Sequence, residues 1–147
     1  MRTMETWEAV AREAIRDLVA RYNANGDSGR FEQLMELFAD DAVMELDDGP
    51  YAGRDEILSI FTGTQQRWAG ELNPAGAAPS HHVRHSVSTH QIDFDDPTHA
   101  RGYCYYSVIM PHGLDHWGRY FDRYEERDGR WVFTRRKVTT EGRTASG

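Results

Sequence analysis

The sequence predicts an α+β fold, a cone in which three N-terminal helices pack on a strongly curved, mostly antiparallel sheet and enclose a pocket. Three observations predict it. Apolar residues in the first half recur at helical spacing, as in Ile15, Leu18, Val19 and Tyr22. From His81 onward the pattern changes to strand-like stretches that each end at turn residues. Two of those stretches, "WGRYFDRYEE" and "RWVFTRRKV", meet across Asp128-Gly129, a two-residue hairpin signal.

The first helix is expected from about Glu5 to Asn25, ended by Gly26, which reaches the left-handed conformation of a helix cap. A second, shorter helix covers about Gly29 to Ala39. "AVMEL", residues 42–46, alternates like a strand and stops at the turn Asp47-Asp48-Gly49. "GRDEILSIF" reads as a third helix, with acids in its first turn and Ile57, Leu58, Ile60 and Phe61 on its apolar side. "NPAGAAP", residues 73–79, suits only a loop. About four long antiparallel strands follow. The first is "HHVRHSVSTHQIDF", ending at "DDP", and the second is "ARGYCYYSVIM", ending at "PHG". A curved sheet closed off by helices leaves an interior cavity, the natural seat of a small ligand.

The 147 residues suit one domain, 1–147, with a core over about 6–140 and a short flexible C-terminal tail. A net charge of −7 argues against nucleic acid as a partner. No apolar run approaches the ~20 residues of a membrane span, so no membrane partner is expected. "MRTMETWEAV" lacks the apolar stretch of a signal peptide, and the single cysteine, Cys104, excludes an internal disulfide. A cytoplasmic location is therefore expected. Four Trp, seven Tyr and six Phe supply material for both a core and a lined cavity.

Alternation along Ser80 to Phe94 places His81, Val83, His85, Val87 and Thr89 on one face. His82, Arg84, Ser86, Ser88 and His90 take the other, more polar face. His85 thus sits between valines on the inward face, either satisfied by a backbone carbonyl or available for acid–base work. A metal is not expected, because His81 and His85 share a face but stand roughly 13 Å apart along a strand. His90, His99, His112 and His116 are expected in solvent. Asp27 follows the helix-ending glycine and reads either as the N-cap of the next helix or as a carboxylate turned into the cone's mouth. Tyr22 reads as a core aromatic with its hydroxyl at the rim. Arg136 shares a face with Val132, Thr134 and Val138, so it lies at the sheet's end or is paired. Trp117, Phe121, Trp131 and Phe133 are expected on the outer face, where they suit a sheet-to-sheet contact.

The segments "IRDLVARYNANGD…FEQLMELFADDAVM", "YAGRDEI", "HSVSTHQIDF" and "GRYFDRYEERDGRWVFTRRK" run in that order from about Thr6 to Thr140. Together they resemble the SnoaL-like branch of the nuclear-transport-factor-2-like superfamily. The resemblance is nearest to its dehydratase-type members: hexachlorocyclohexane dehydrochlorinase, scytalone dehydratase and bile-acid 7α-dehydratase. It implies a catalytic Asp27–His85 pair, with Tyr22 and with Arg136 on the last strand as further catalytic residues that stabilise the developing negative charge. Tyr22 stands where the dehydrochlorinase has lysine and the bile-acid enzyme tyrosine. Val108 stands where the bile-acid enzyme has an acidic residue.

The implied function is a cofactor-independent lyase of the dehydratase or elimination type. Its substrate would be a small, largely apolar hydroxylated or polyketide- or steroid-like molecule in an apolar pocket, with no metal or organic cofactor. A polyketide cyclase, a ketosteroid-type isomerase and a non-catalytic small-molecule binder are the alternatives. The resemblance also implies a homodimer or homotrimer joined through the outer sheet face.

Overall fold

Ile15, Leu18, Val19 and Tyr22 lie buried along one side of a helix, α1, that runs from Thr6 to Ser28. The computed structural model describes residues 2–71 and 83–144. After α1 come α2 (Phe31–Met35), β1 (Phe38–Leu46), β2 (Gly49–Ala52), α3 (Arg54–Glu71), β3 (Arg84–Asp96), β4 (His99–Met110), β5 (Gly113–Arg127) and β6 (Arg130–Arg143). The loop expected at residues 73–79 lies outside the described residues, as do His81 and His82. No helix among the described residues is long and apolar enough to cross a membrane.

The expected helix stop at Gly26 does not occur. Gly26 stays helical at a cost of about 1 kcal/mol relative to alanine, and a Cβ there would meet Phe61 and Leu34 only at 3.9 and 4.0 Å. The cap falls at Gly29, whose φ of 72 lets the Arg30 amide reach the Asn25 carbonyl at 2.9 Å and the Gly29 amide reach Gly26 at 3.3 Å. The second helix is also shorter than its periodicity suggests. Phe38 pairs with Phe133, and the Phe133 amide donates to the Leu37 carbonyl at 2.8 Å, so β6 draws this segment into the sheet.

The sheet has six strands in the order β2-β1-β6-β5-β4-β3. All neighbours are antiparallel except β1 and β6, which run parallel. The four long strands stand in chain order, β3 to β6. Asp128 (φ 52) and Gly129 (φ 78) form the left-handed turn expected between β5 and β6. The helices cover one face, and Leu34, Phe38, Ile57, Cys104, Val108, Tyr124 and Phe133 fill the space between the layers.

Bulges curve the sheet, and each exchanges the faces of the residues beyond it. One lies in β3 between Val87 and His90, which turns His90 and Ile92 inward and leaves Thr89 exposed. His90 is therefore half-buried, in contrast to its expected place in solvent. Another, between Arg123 and Tyr124, brings Phe133 into the core, 5.2 Å from Phe38. Phe133 is thus not an outer-face residue. Trp131 is half-buried and packs edge-on against Phe94, whereas Trp117 remains exposed.

Close strand approach depends on Gly118, where a Cβ would lie 1.8 Å from the Thr139 carbonyl oxygen. Gly118→Ala is expected to lower stability by about 1–3 kcal/mol or more, because backbone has to move; urea unfolding checks it.

Candidate active site

Asp27 occupies the last turn of α1, the negative end of the helix dipole, where no basic residue offsets it. A carboxylate there costs the helix about 0.3–1 kcal/mol. His85, near the start of β3, compensates. Its backbone N–H donates to Asp27 Oδ2 at 2.9 Å, and its ring Nδ1 lies 2.6 Å from Asp27 Oδ1. The carboxylate thus holds the proton on Nδ1 and leaves Nε2 as a proton acceptor. Asp27 does not cap α2: Arg30 is the residue before that helix, and it makes no side-chain cap bond. Nor does the carboxylate leave α1 at a break; the helix carries it to β3.

The pair opens onto a cavity of about 480 Å³ bordered by Asn23, Asp27, Arg30, Arg84, His85 and Val87. The charged Asp27, Arg30 and Arg84 share this lining with the apolar Ala20, Ala24 and Val87. His85 remains 25% exposed and Asp27 9%, so the ring meets the cavity while its partner sits behind it.

Tyr22 and Arg136 belong to a second group, deeper in the cone. Arg136 is fully buried and paired with its cross-strand neighbour Asp122, Nε to Oδ1 and Nη2 to Oδ2, both at 2.7 Å. Its guanidinium carbon lies 4.3 Å from the Tyr22 ring centre, 4.0 Å from Tyr120 and 4.3 Å from Phe133. Burial pushes the Tyr22 hydroxyl up to about 12, with Arg136 pulling the other way. Neither Tyr22 nor Arg136 borders the cavity beside His85. Val108 is buried opposite His85 in the β3–β4 register.

Asp122, Asn23, Tyr120, Tyr124 and His90 extend this group, and sequence reasoning missed all of them. Tyr124 donates to Asp122 Oδ2 at 2.8 Å, and His90 Nε2 lies 3.1 Å from the Tyr124 hydroxyl. Desolvation, helped by the nearby Arg16 charge, pushes the His90 imidazole down to about 4. Tyr120 donates to Asn23 Oδ1 at 3.3 Å, which joins the buried group to the cavity wall. A signal for Asp122 existed: alternation puts it between Tyr120 and Tyr124 on one face. Its partner was invisible without the β5–β6 register.

A curved sheet under three helices, with a helix-borne carboxylate clasping a strand histidine, defines a small cone-shaped pocket domain. Residues 7–137 match the model of the SnoaL-like domain, and the chain belongs to that family. A protein of Novosphingobium aromaticivorans provisionally classed as a scytalone dehydratase superposes with a TM-score of 0.79 at 24% identity, over 98% of this chain and 93% of that one. A hexachlorocyclohexane dehydrochlorinase of Novosphingobium barchaimii gives 0.76 at 21% identity, over 94% and 91%. A protein of unknown function with a cystatin-like fold, from Nostoc punctiforme, gives 0.75 at 18%, over 95% and 96%. These likenesses show a shared fold. No curated protein matches the chain.

Removing Asp122 strands a buried cation, so Asp122→Ala is expected to cost about 3–5 kcal/mol in urea unfolding. His90 also sets a pH dependence. Its folded-state value of about 4 lies below the ordinary 6.5, so the unfolded chain takes the proton first on acidification. The His90 contribution is whole above pH 6.5, shrinks as pH falls, and is lost once pH passes about 4. His90→Gln is expected to flatten thermal stability across that window relative to the native chain.

Proposed function

We propose that this chain is a cofactor-independent lyase of the dehydratase type, with His85 as the general base. The observation that carries the reading is the 2.6 Å contact between Asp27 and Nδ1 of a histidine whose ring faces a cavity. Histidine is the side chain most often used to take and return a proton near neutral pH.

In this reading Nε2 takes a proton from a substrate carbon next to a carbonyl or similar group. The C–H electron pair becomes the new π bond. The hydroxyl on the adjacent carbon departs with its own bonding pair, takes a proton from the imidazolium, and leaves as water. Asp27 stabilises the transient imidazolium and keeps the ring from turning. Tyr22 and Arg136, one layer deeper, act by holding Tyr120 and Asn23 in place. The substrate class is a small hydroxylated or polyketide-like molecule. The similar dehydratase and dehydrochlorinase structures support an elimination, and the fold also suits a cyclase or isomerase built on the same base.

The outer face keeps Tyr105, Ile109, Leu114 and Trp117 exposed, which supports self-association as a dimer or trimer.

The test is incubation with a panel of β-hydroxy carbonyl compounds in D2O, followed by NMR for water loss or deuterium at the α carbon. His85→Ala is expected to reduce either rate on the order of 10²-fold or more. Asp27→Asn is expected to slow the rate far more than it lowers the melting temperature. Full turnover by Asp27→Asn would remove the carboxylate from the mechanism. Binding with no exchange across the panel would favour a non-catalytic binder.

A further inference from the structure

Two of the chain's four tryptophans, Trp7 and Trp131, border a second cavity of about 360 Å³. It lies where the start of α1, the β3–β4 turn and the β5–β6 hairpin meet, and it shares no residue with the cavity beside His85. Trp7 and Asp27 stand about 30 Å apart along the α1 axis.

The walls are held in place. Trp7 packs edge-on with Phe94, ring centres 5.3 Å apart, and Trp131 packs edge-on with the same ring at 6.0 Å. Trp7 Nε1–H donates to Glu5 Oε2 at 2.6 Å, which orients the indole. Glu126 stands directly opposite Trp131 in the β5–β6 register, and its backbone N–H donates to the Thr98 carbonyl at 2.9 Å. Trp7 stays 38% exposed and Val10 66%, an apolar surface left open to a guest.

Glu126 is the one charged side chain of the lining, and it makes no ion pair among the described residues. The neighbouring charges are engaged with one another. Glu8 holds both Arg2 and Arg12, and the Arg12 guanidinium also lies over the Phe94 ring at 5.2 Å. Asp95 holds Arg101, Asp96 holds His99, and Glu125 with Asp41 holds Arg127. At the hairpin tip Asp128 and Arg130 are both exposed and opposite in sign. Glu5 and Glu8 cover the positive end of the α1 dipole.

This lining discriminates by chemistry. An anion would meet the Glu126 carboxylate with no cation in the wall. A neutral apolar guest would strip water from Glu126 and return nothing. A primary ammonium carries three N–H donors, each in need of an acceptor, and the Thr98 hydroxyl is already engaged with Asp96 and His99. A methylated ammonium needs no acceptor. Its charge suits Glu126 and the indoles, and its methyl groups suit Val10 and Pro97.

We propose that this cavity binds a quaternary ammonium ion, held by Trp7 and Trp131 with Glu126 as the counter-charge. It is a second site, and none of its residues takes part in the lyase reading above.

The test is an NMR titration that follows the indole N–H resonances of Trp7 and Trp131, with Trp117 on the outer sheet face as the control. The probes are choline and 3,3-dimethylbutanol, its uncharged isostere with carbon in place of nitrogen. Choline is expected to shift Trp7 and Trp131 saturably and to bind at least about fivefold more tightly than the alcohol. That advantage is expected to shrink as salt is added. Glu126→Gln is expected to weaken choline several-fold and to leave the alcohol nearly unchanged, and Trp7→Leu is expected to abolish the preference for choline. Both side chains are exposed, so neither variant removes a core residue. Equal or tighter binding of the alcohol, no saturable shift with choline, choline shifts at Trp117 as large as those at Trp7, or a Glu126→Gln affinity equal to the native one would each overturn the assignment.

Discussion

One carboxylate ties the mouth of the cone together. Asp27 ends α1 and receives both the main chain and the ring of His85, so a single side chain docks the helix onto the edge strand and orients the imidazole. The two jobs are inseparable. The backbone bond fixes where β3 starts relative to α1, and the ring bond then falls into place with its tautomer set. Because Asp27 sits at the unfavourable end of the helix dipole, the helix alone gives no reason for an acid there. The His85 contact supplies one.

Below that clasp the core departs from a plain apolar filling. A fully buried arginine needs a partner, and Asp122 supplies a two-pronged one on the neighbouring strand. Three aromatic rings then close around the guanidinium, a weakly hydrated cation whose flat faces suit stacking. Tyr124 and His90 extend the network outward along the sheet, and Tyr120 hands it to Asn23 at the cavity wall. The cone thus has a polar floor joined through one asparagine to the cavity above it. Such networks rigidify when every member is satisfied. Here Asn23 Nδ2 and Arg136 Nη1 are left over, and Asn23 is the one that borders the cavity.

Membership of the SnoaL-like family and the fold shared with dehydratase and dehydrochlorinase structures set the frame, a small pocket domain that hosts several chemistries. Chemistry is then a matter of the side chains at one end of the cone. An imidazole anchored to Asp27 on one nitrogen, with its ring at the cavity, is the feature on which the proposed proton transfer rests.

The sequence by itself determined the layering. Helical spacing in Ile15, Leu18, Val19 and Tyr22, alternation in the later strands and the Asp128-Gly129 hairpin are local properties, and each survived folding. Asp27 and His85 were also legible as candidates, one at a helix end and one between valines on an inward face. Their pairing came only from the family resemblance, since 58 positions separate them and no local pattern links the two. Tertiary structure decided what depends on register and partners. Bulges beyond Val87 and Arg123 turned His90 and Phe133 inward, against simple alternation. Pairing with β6 converted residues 38–39 from helix to strand, and α1 ran past Gly26 to a cap at Gly29. Arg136 found its counter-charge only once β5 and β6 were in register. Periodicity reports which side of its own element a residue occupies; a pairing reports which element arrives opposite, and that is settled by burial and hydrogen bonding across the whole chain.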